Sequence, residues 1–128
     1  TAEDYARFAL MLNNGGELNG VRVLKEETIN TMASNHLPAE LFGENTFGLG
    51  VSVRDPRPDA IHPEKPGPFG WGGYFKTRYW SDPSEDMVVV MMCQMAPNGV
   101  GADQLMDAAT MVIAQSLVRE APAEEGTK

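Results

Sequence analysis

The stretch FGWGGYFKTRYWSDPSEDMVVVMMCQM, residues 69–95, decides the fold that we predict from the sequence. Its first part, residues 69–81, combines aromatic, β-branched and glycine residues, which is typical of a strand. Residues 82–85 read Asp-Pro-Ser-Glu and predict a turn. The apolar run over residues 87–95 favours a buried strand. Together these segments predict two antiparallel strands joined by a turn.

Helices are expected on both sides of this stretch. Residues 2–14 carry apolar residues at helical spacing behind an N-cap residue, Thr1. A short helix is predicted over residues 26–32, and another from about residue 102 to 119. The apolar face of the last helix would consist of Leu105, Ala109, Val112, Ile113 and Leu117. This order indicates an α+β fold in which helices pack on an antiparallel sheet.

Two smaller sheet elements are expected before residue 55. Asn19-Gly20 predicts a small hairpin between residues 17–18 and 21–24, because both turn residues adopt positive φ readily. Residues 47–54 alternate apolar residues with small ones, which predicts a strand. Its apolar side would carry Phe47, Leu49, Val51 and Val53.

The other segments predict loops and a tail. Residues 36–46 show no period, and residues 55–68 hold prolines at positions 56, 58, 63, 66 and 68, which exclude regular structure. Long loops of this kind are often functional. We expect one folded unit over residues 1–119 and a mobile polar tail over residues 120–128.

Composition narrows the possible functions. The 128 residues include 18 acidic and 10 basic ones, a net charge of −8, and no segment clusters its cations as nucleic-acid binding requires. The longest apolar run, residues 87–93, is far shorter than the ~20 residues of a membrane-spanning helix. We expect a soluble protein of undetermined compartment, whose start at Thr1 marks a cut or a processing site.

Local signatures of catalysis are absent from the sequence. None of the five serines stands in Gly-x-Ser-x-Gly or Ser-x-x-Lys, and Tyr79-Trp80-Ser81, although it matches Tyr-x-Ser, lies in a predicted strand. His36 and His62 lack neighbours at metal-ligand spacing, so we predict no metal site and no cofactor. Cys93 lies in the apolar run and is expected to pack as a small hydrophobe.

The segment Gly67-Pro68-Phe69-Gly70-Trp71-Gly72-Gly73-Tyr74 is the strongest candidate for a site. Glycines beside large aromatic residues allow a ligand or another backbone to approach closely. Alternatively, the glycines form a bulge or a tight corner covered by Trp71 and Phe69. The residues alone leave both interpretations open.

Five segments in order resemble a known family: residues 1–8 (TAEDYARF), 12–20 (LNNGGELNG), 47–50 (FGLG), 69–73 (FGWGG) and 80–83 (WSDP). They are similar to the C-terminal part of the β-lactamase-related serine hydrolases, which include class C β-lactamases, penicillin-binding proteins, D-aminopeptidases and family VIII carboxylesterases. The resemblance extends to about residue 118. It implies the C-terminal part of a β-lactamase/transpeptidase-like fold.

The resemblance also implies a site. Three motifs line the cleft in that family: Ser-x-x-Lys with the nucleophile, Tyr-x-Asn or Tyr-x-Ser, and Lys-Thr-Gly on a strand. Trp71-Gly72-Gly73 resembles an esterase-type variant of the third motif and would bind substrate, and the backbone N–H of Tyr74 would be an oxyanion-hole donor. A rival alignment places the motif at Lys76-Thr77-Arg78, with Arg78 where a glycine is expected.

By the same resemblance, the chain would be part of a serine hydrolase that cleaves an ester, amide or β-lactam bond through an acyl-enzyme. A tryptophan in place of the motif lysine favours a neutral ester or an apolar acyl substrate. The partner would be the N-terminal portion with the other two motifs, and the chain alone would be inactive. The alternatives are a non-catalytic binding or assembly module of the same fold and, less favoured, a penicillin-binding relative directed at D-Ala-D-Ala.

Overall fold

The computed structural model describes residues 1–42, 46–95 and 101–116. Its helices are α1 (Ala2–Asn13), α2 (Glu26–Met32), α3 (Ala39–Phe42) and α4 (Ala102–Gln115), with a 3-10 helix at Pro83–Glu85. Its strands are β1 (Glu17–Leu18), β2 (Val21–Arg22), β3 (Ser52–Val53), β4 (Phe69–Gly72), β5 (Arg78–Asp82) and β6 (Met87–Met91). The predicted helices are confirmed as far as Gln115, whereas residues 117–119 and the predicted tail lie outside the described residues.

A four-stranded antiparallel sheet with the order β3-β4-β5-β6 is the centre of the fold, and β1 and β2 form the predicted small hairpin. Trp71 of β4 lies opposite Tyr79 of β5, which in turn lies opposite Val90 of β6. The α+β prediction is therefore confirmed. Among the described residues, no helix has the length and apolar character that a bilayer crossing requires.

Helix α1 packs on one face of this sheet, against β5 and β6. Thr1 and Asp4 form a reciprocal capping box, and the hydrogen bond from the Thr1 hydroxyl is the main cause that lowers the pKa of Asp4. The Ser81 hydroxyl donates to the Ala9 carbonyl at 3.1 Å, which ties the helix to β5. The core between the helices and the sheet consists of Ala9, Met11, Leu12, Ile29, Val51, Val53, Phe69 and Tyr79.

The strand predicted over residues 47–54 is wrong in extent. Phe47 pairs with Ser52 across a tight turn in which Gly50 has a φ of 81°, so only Ser52–Val53 form a strand. Val51 and Val53 are buried as expected, but Leu49 is 57% exposed at the tip of the turn. The alternation of apolar and small residues does not continue as a strand, because Gly50 adopts a left-handed backbone conformation and the chain reverses there.

The single strand predicted over residues 69–81 is two strands. A turn after β4 is closed by Gly73, whose N–H donates to Thr77 O at 2.7 Å and whose carbonyl accepts from Lys76 N at 3.0 Å. Lys76 has a φ of 67°, a left-handed conformation that glycine usually provides at this position of a hairpin. Because the sequence has no glycine there, its pattern gives no sign of the turn.

Three further predictions need correction. The loop expected over residues 36–46 contains the one-turn helix α3. The last strand ends at Met91 rather than Met95 and is only half-buried, because β6 is an outer strand of the sheet. On α4, Leu105 and Val112 are exposed and Met106 is buried instead, so the buried side of this helix is not the one that the apolar spacing predicts.

Candidate functional site at the edge of strand β4

Strand β4 presents an open edge at its C-terminal end. Its neighbour β3 pairs only with the first half, Ser52 with Gly70 and Val53 with Phe69. On that side, Trp71 and Gly72 have no partner strand within the described part of the chain. The edge is therefore open at two of the three residues that resemble the third motif.

The turn after β4 fixes the direction of the next amide. The Gly73 carbonyl points into the turn, where it accepts from Lys76 N at 3.0 Å. In a planar trans peptide the carbonyl and the N–H point in opposite directions. The N–H of Tyr74 belongs to the same peptide and therefore points out of the turn, on the side of β4 opposite β5.

The rival segment Lys76-Thr77-Arg78 occupies a different environment. Lys76 lies in the turn with its left-handed backbone, and Arg78 begins β5. Strand β5 has β4 on one side and β6 on the other, so its edges are used by the sheet. A backbone donor for a ligand is therefore easier to provide from β4 than from β5.

The motif tryptophan is part of an aromatic surface. The Trp71 ring is 55% exposed and meets Phe47 edge-to-face, with the ring centroids 5.0 Å apart and the planes at 89°. Tyr74 is 72% exposed and packs edge-to-face on Phe75 at 5.2 Å. This end of β4 therefore offers apolar ring surface beside an outward-pointing N–H.

The glycines of this segment have different roles: some allow a close approach of backbone or ligand, and one belongs to a tight corner. A Cβ on Gly70 would lie 2.1 Å from the Tyr79 carbonyl oxygen, so this position serves the close approach of β5. A Cβ on Gly73 would lie 2.5 Å from the Thr77 hydroxyl oxygen, which belongs to the tight corner. On Gly72 the nearest atom, Thr77 O, would be 3.3 Å away, so Gly72 leaves the most room.

Comparison with known proteins identifies the family. Residues 1–110 match the family model described as Beta-lactamase. The chain belongs to the beta-lactamase family. It is 35% identical, over 126 aligned residues, to protein MT1414 of Mycobacterium tuberculosis strain CDC 1551 / Oshkosh and to protein Rv1367c of strain ATCC 25618 / H37Rv. In both alignments it covers 88% of its own length and 30% of the relative.

Two solved structures share the fold. A penicillin-binding protein homologue from Caulobacter crescentus superposes with a TM-score of 0.58 at 20% identity, and a family VIII carboxylesterase with a TM-score of 0.55 at 23% identity. Each superposition covers 83% of this chain and 30% of the other. This member of the beta-lactamase family thus spans less than a third of the length of the proteins that it matches.

Every serine hydroxyl of this beta-lactamase family chain donates a hydrogen bond within the chain. Four hydroxyls donate to backbone carbonyls and one, that of Ser84, to the Asp82 carboxylate. A nucleophilic serine needs a base within reach of its hydroxyl, and a carbonyl oxygen is not such a base. Ser84 does contact a carboxylate, but it is only 1% exposed, so a substrate cannot reach it. The full set is Ser34, Ser52, Ser81, Ser84 and Ser116.

Both histidines contact oxygen atoms of other residues. His36 Nε2 lies 2.7 Å from Thr31 O, and His62 Nε2 lies 3.0 Å from the Asp86 carboxylate. Asp86 also accepts from Lys65 Nζ at 2.9 Å, and this hydrogen bond is the main cause that lowers the Asp86 pKa, with His62 adding to it. The described residues hold no group of three side chains suited to a metal ion.

A cleft of about 440 Å³ borders β4, and Trp71 and Gly72 are among the residues that line it. Side chains from the proline-containing loop, the sheet and α4 line it, among them Arg54, Arg57, Arg78, Trp80 and Thr110. Two of its guanidinium groups are held by carboxylates, Arg57 by Glu85 at 2.6 Å and Arg78 by Asp107 at 3.0 Å. No local pattern indicates this cleft, because its walls come from segments far apart in the chain.

Proposed function

We propose that this chain supplies the third-motif strand of a β-lactamase-related serine hydrolase. In this proposal Tyr74 donates its backbone N–H to the oxyanion, and Trp71, Gly72 and Gly73 line the substrate site. The observation that carries the proposal is the open edge of β4, where the Tyr74 N–H points away from its own hairpin.

The chemistry requires such a donor. When a serine oxygen attacks an ester carbonyl, the carbonyl oxygen takes up negative charge, which fixed N–H groups stabilise. The tetrahedral intermediate expels the alcohol and leaves an acyl-enzyme, which water then hydrolyses to the acid and the free serine. A backbone N–H fixed in the hydrogen-bonded turn between β4 and β5 needs little rearrangement to meet the oxyanion at each step.

The proposed substrate is an ester with a neutral acyl group. In the family pattern, the first residue of the third motif is a lysine, which attracts the carboxylate of β-lactams. Here that position is Trp71, whose ring is apolar and more than half exposed. Amides and β-lactams share the same acyl chemistry and are the less favoured substrates.

The nucleophile is proposed to lie in a separate portion of the enzyme that carries Ser-x-x-Lys and Tyr-x-Asn or Tyr-x-Ser. Two observations support this: the five serines of this chain are engaged elsewhere, and the chain spans 30% of its relatives. The chain alone is then inactive. The complete hydrolase is the assembly of this chain with the nucleophile-bearing portion.

A substitution at Tyr74 tests the proposed donor. Tyr74 is the second residue of the turn over residues 73–76, a position that accepts proline. In the complete hydrolase, Tyr74→Pro removes the N–H and should lower kcat for p-nitrophenyl acetate about 10²- to 10³-fold. Tyr74→Ala, the matched control, removes the ring but keeps the N–H, and should retain kcat within about tenfold.

The outcomes separate the proposal from its alternatives. Equal kcat values for the proline and alanine variants, with both proteins folded, would contradict the donor role. Acylation of the complete hydrolase by a fluorescent penicillin, without ester hydrolysis, would favour a penicillin-binding relative. An assembly that neither hydrolyses the ester nor reacts with the penicillin would favour a binding module.

A further inference from the structure

We infer that Phe47 is a positioning residue for Trp71 and thereby gives the proposed hydrolase a preference for apolar acyl chains over acetyl. This inference rests on the proposed function of the β4 edge. The two residues are 24 positions apart in the sequence, and their rings meet edge-to-face at 5.0 Å. Phe47 itself belongs to none of the three family motifs.

The backbone of Phe47 is held on both sides. Its N–H donates to the Asn35 side-chain oxygen at 3.0 Å, and its carbonyl accepts from His36 N at 2.8 Å. The next residue, Gly48, packs so closely that a Cβ would lie 2.0 Å from the Met32 carbonyl oxygen. The Phe47 ring therefore extends from a fixed backbone, which makes it a rigid support.

Trp71 depends on that support more than a buried tryptophan would. Its indole is 55% exposed on a half-open strand, and Phe47 is the aromatic partner that the described residues give it. An edge-to-face contact restrains the indole through one region and leaves its remaining surface open. That surface is flat and uncharged, which suits the methylene groups of an acyl chain.

Esterase specificity is the functional test. In the complete hydrolase we compare kcat/KM for p-nitrophenyl octanoate and p-nitrophenyl acetate. Phe47→Leu should lower the octanoate-to-acetate ratio about 2- to 10-fold, the range of a lost aromatic contact, with kcat for acetate unchanged. Phe47→Tyr keeps the ring and should restore the ratio. The matched control is Phe8→Leu, because the Phe8 ring also makes an edge-to-face contact but with Tyr5 instead of Trp71.

A second measurement on this chain alone tests the positioning role without catalysis. The chain has two tryptophans, so its two indole N–H signals are resolved in a ¹⁵N–¹H NMR spectrum. Phe47→Leu should shift one signal strongly and Phe8→Leu neither. Unchanged indole signals, or an unchanged ester ratio in an active hydrolase, would overturn the inference. If the unsubstituted hydrolase has no esterase activity but Phe47→Leu still shifts an indole signal, the result would count against the proposed function instead.

Discussion

Gly70 and Gly72 look equivalent in the sequence, two positions apart in one glycine-rich strand, but their surroundings differ. A Cβ on Gly70 would meet the backbone of β5 at 2.1 Å, whereas on Gly72 the closest atom would be 3.3 Å away. Gly70→Ala should therefore lower the free energy of unfolding by about 1–3 kcal/mol, and Gly72→Ala by less than about 0.5 kcal/mol. Urea denaturation of both variants measures this difference, and equal losses would contradict it.

The burial of Tyr79 makes the stability of the fold decrease at alkaline pH. Burial, and to a lesser degree the nearby Tyr5, raises the pKa of Tyr79 to about 12. The unfolded chain loses this proton near pH 10, so between about pH 10 and 12 the folded state binds more protons and stability falls as the pH rises. Below pH 10 the contribution is complete.

Tyr79→Phe removes this titration. The difference in unfolding free energy between the parent chain and the variant should be constant from pH 7 to 9. It should then shift in favour of the variant by an amount on the order of 2 kcal/mol towards pH 12. Denaturant titrations at several pH values measure the difference, and a constant difference up to pH 12 would show that Tyr79 ionises as freely in the fold as outside it.

At the scale of elements, the proline-containing loop over residues 55–68 is fastened to the 3-10 helix and the residue after it. Arg57 pairs with Glu85 at 2.6 Å, and Lys65 pairs with Asp86 at 2.9 Å. The backbone N–H of His62 donates to the Ser84 carbonyl at 2.8 Å. The Glu85 side chain is 1% exposed, so its ion pair is shielded from water on one side. A loop without regular structure is thus held by two side-chain ion pairs and one backbone hydrogen bond.

Two arginine substitutions test this attachment. Arg57 and Arg7 each pair with a glutamate at 2.6 Å, but the partner of Arg7 is 75% exposed on α1. Arg57→Met should cost about 1.5–3 kcal/mol of unfolding free energy, because a buried carboxylate loses a charged hydrogen bond. Arg7→Met should cost less than about 0.5 kcal/mol. Similar costs for both variants would show that burial of Glu85 does not strengthen its pair.

Elements in which apolar residues recur at regular spacing could be predicted from the sequence. Elements interrupted by a turn that lacks the usual turn residues could not. Helix α1 has helical spacing and a capping box, and Asn19-Gly20 encodes its turn directly. The turn before β5 has Lys76 in the left-handed conformation, a residue that carries no such signal. The direction of the Tyr74 N–H depends on that turn, so the resemblance predicts a candidate site, whereas the geometry of that site follows only from the structure.

At the scale of the whole molecule, the chain combines a family fold with one segment that resembles a catalytic motif of that family. It belongs to the beta-lactamase family and spans 30% of the relatives that it matches. Its proposed contribution is one open strand edge with an N–H and an aromatic wall. In the proposed function, this chain therefore shapes an active site whose nucleophile lies in another portion.

Mass spectrometry after treatment with a p-nitrophenyl phosphonate tests that claim most directly. We predict that, in the complete hydrolase, the phosphonate adduct lies on the serine of Ser-x-x-Lys in the nucleophile-bearing portion. The mass of this 128-residue chain should stay unchanged, whether it is alone or in the assembly. An adduct on any of its own five serines, together with ester hydrolysis by the chain alone, would contradict the account.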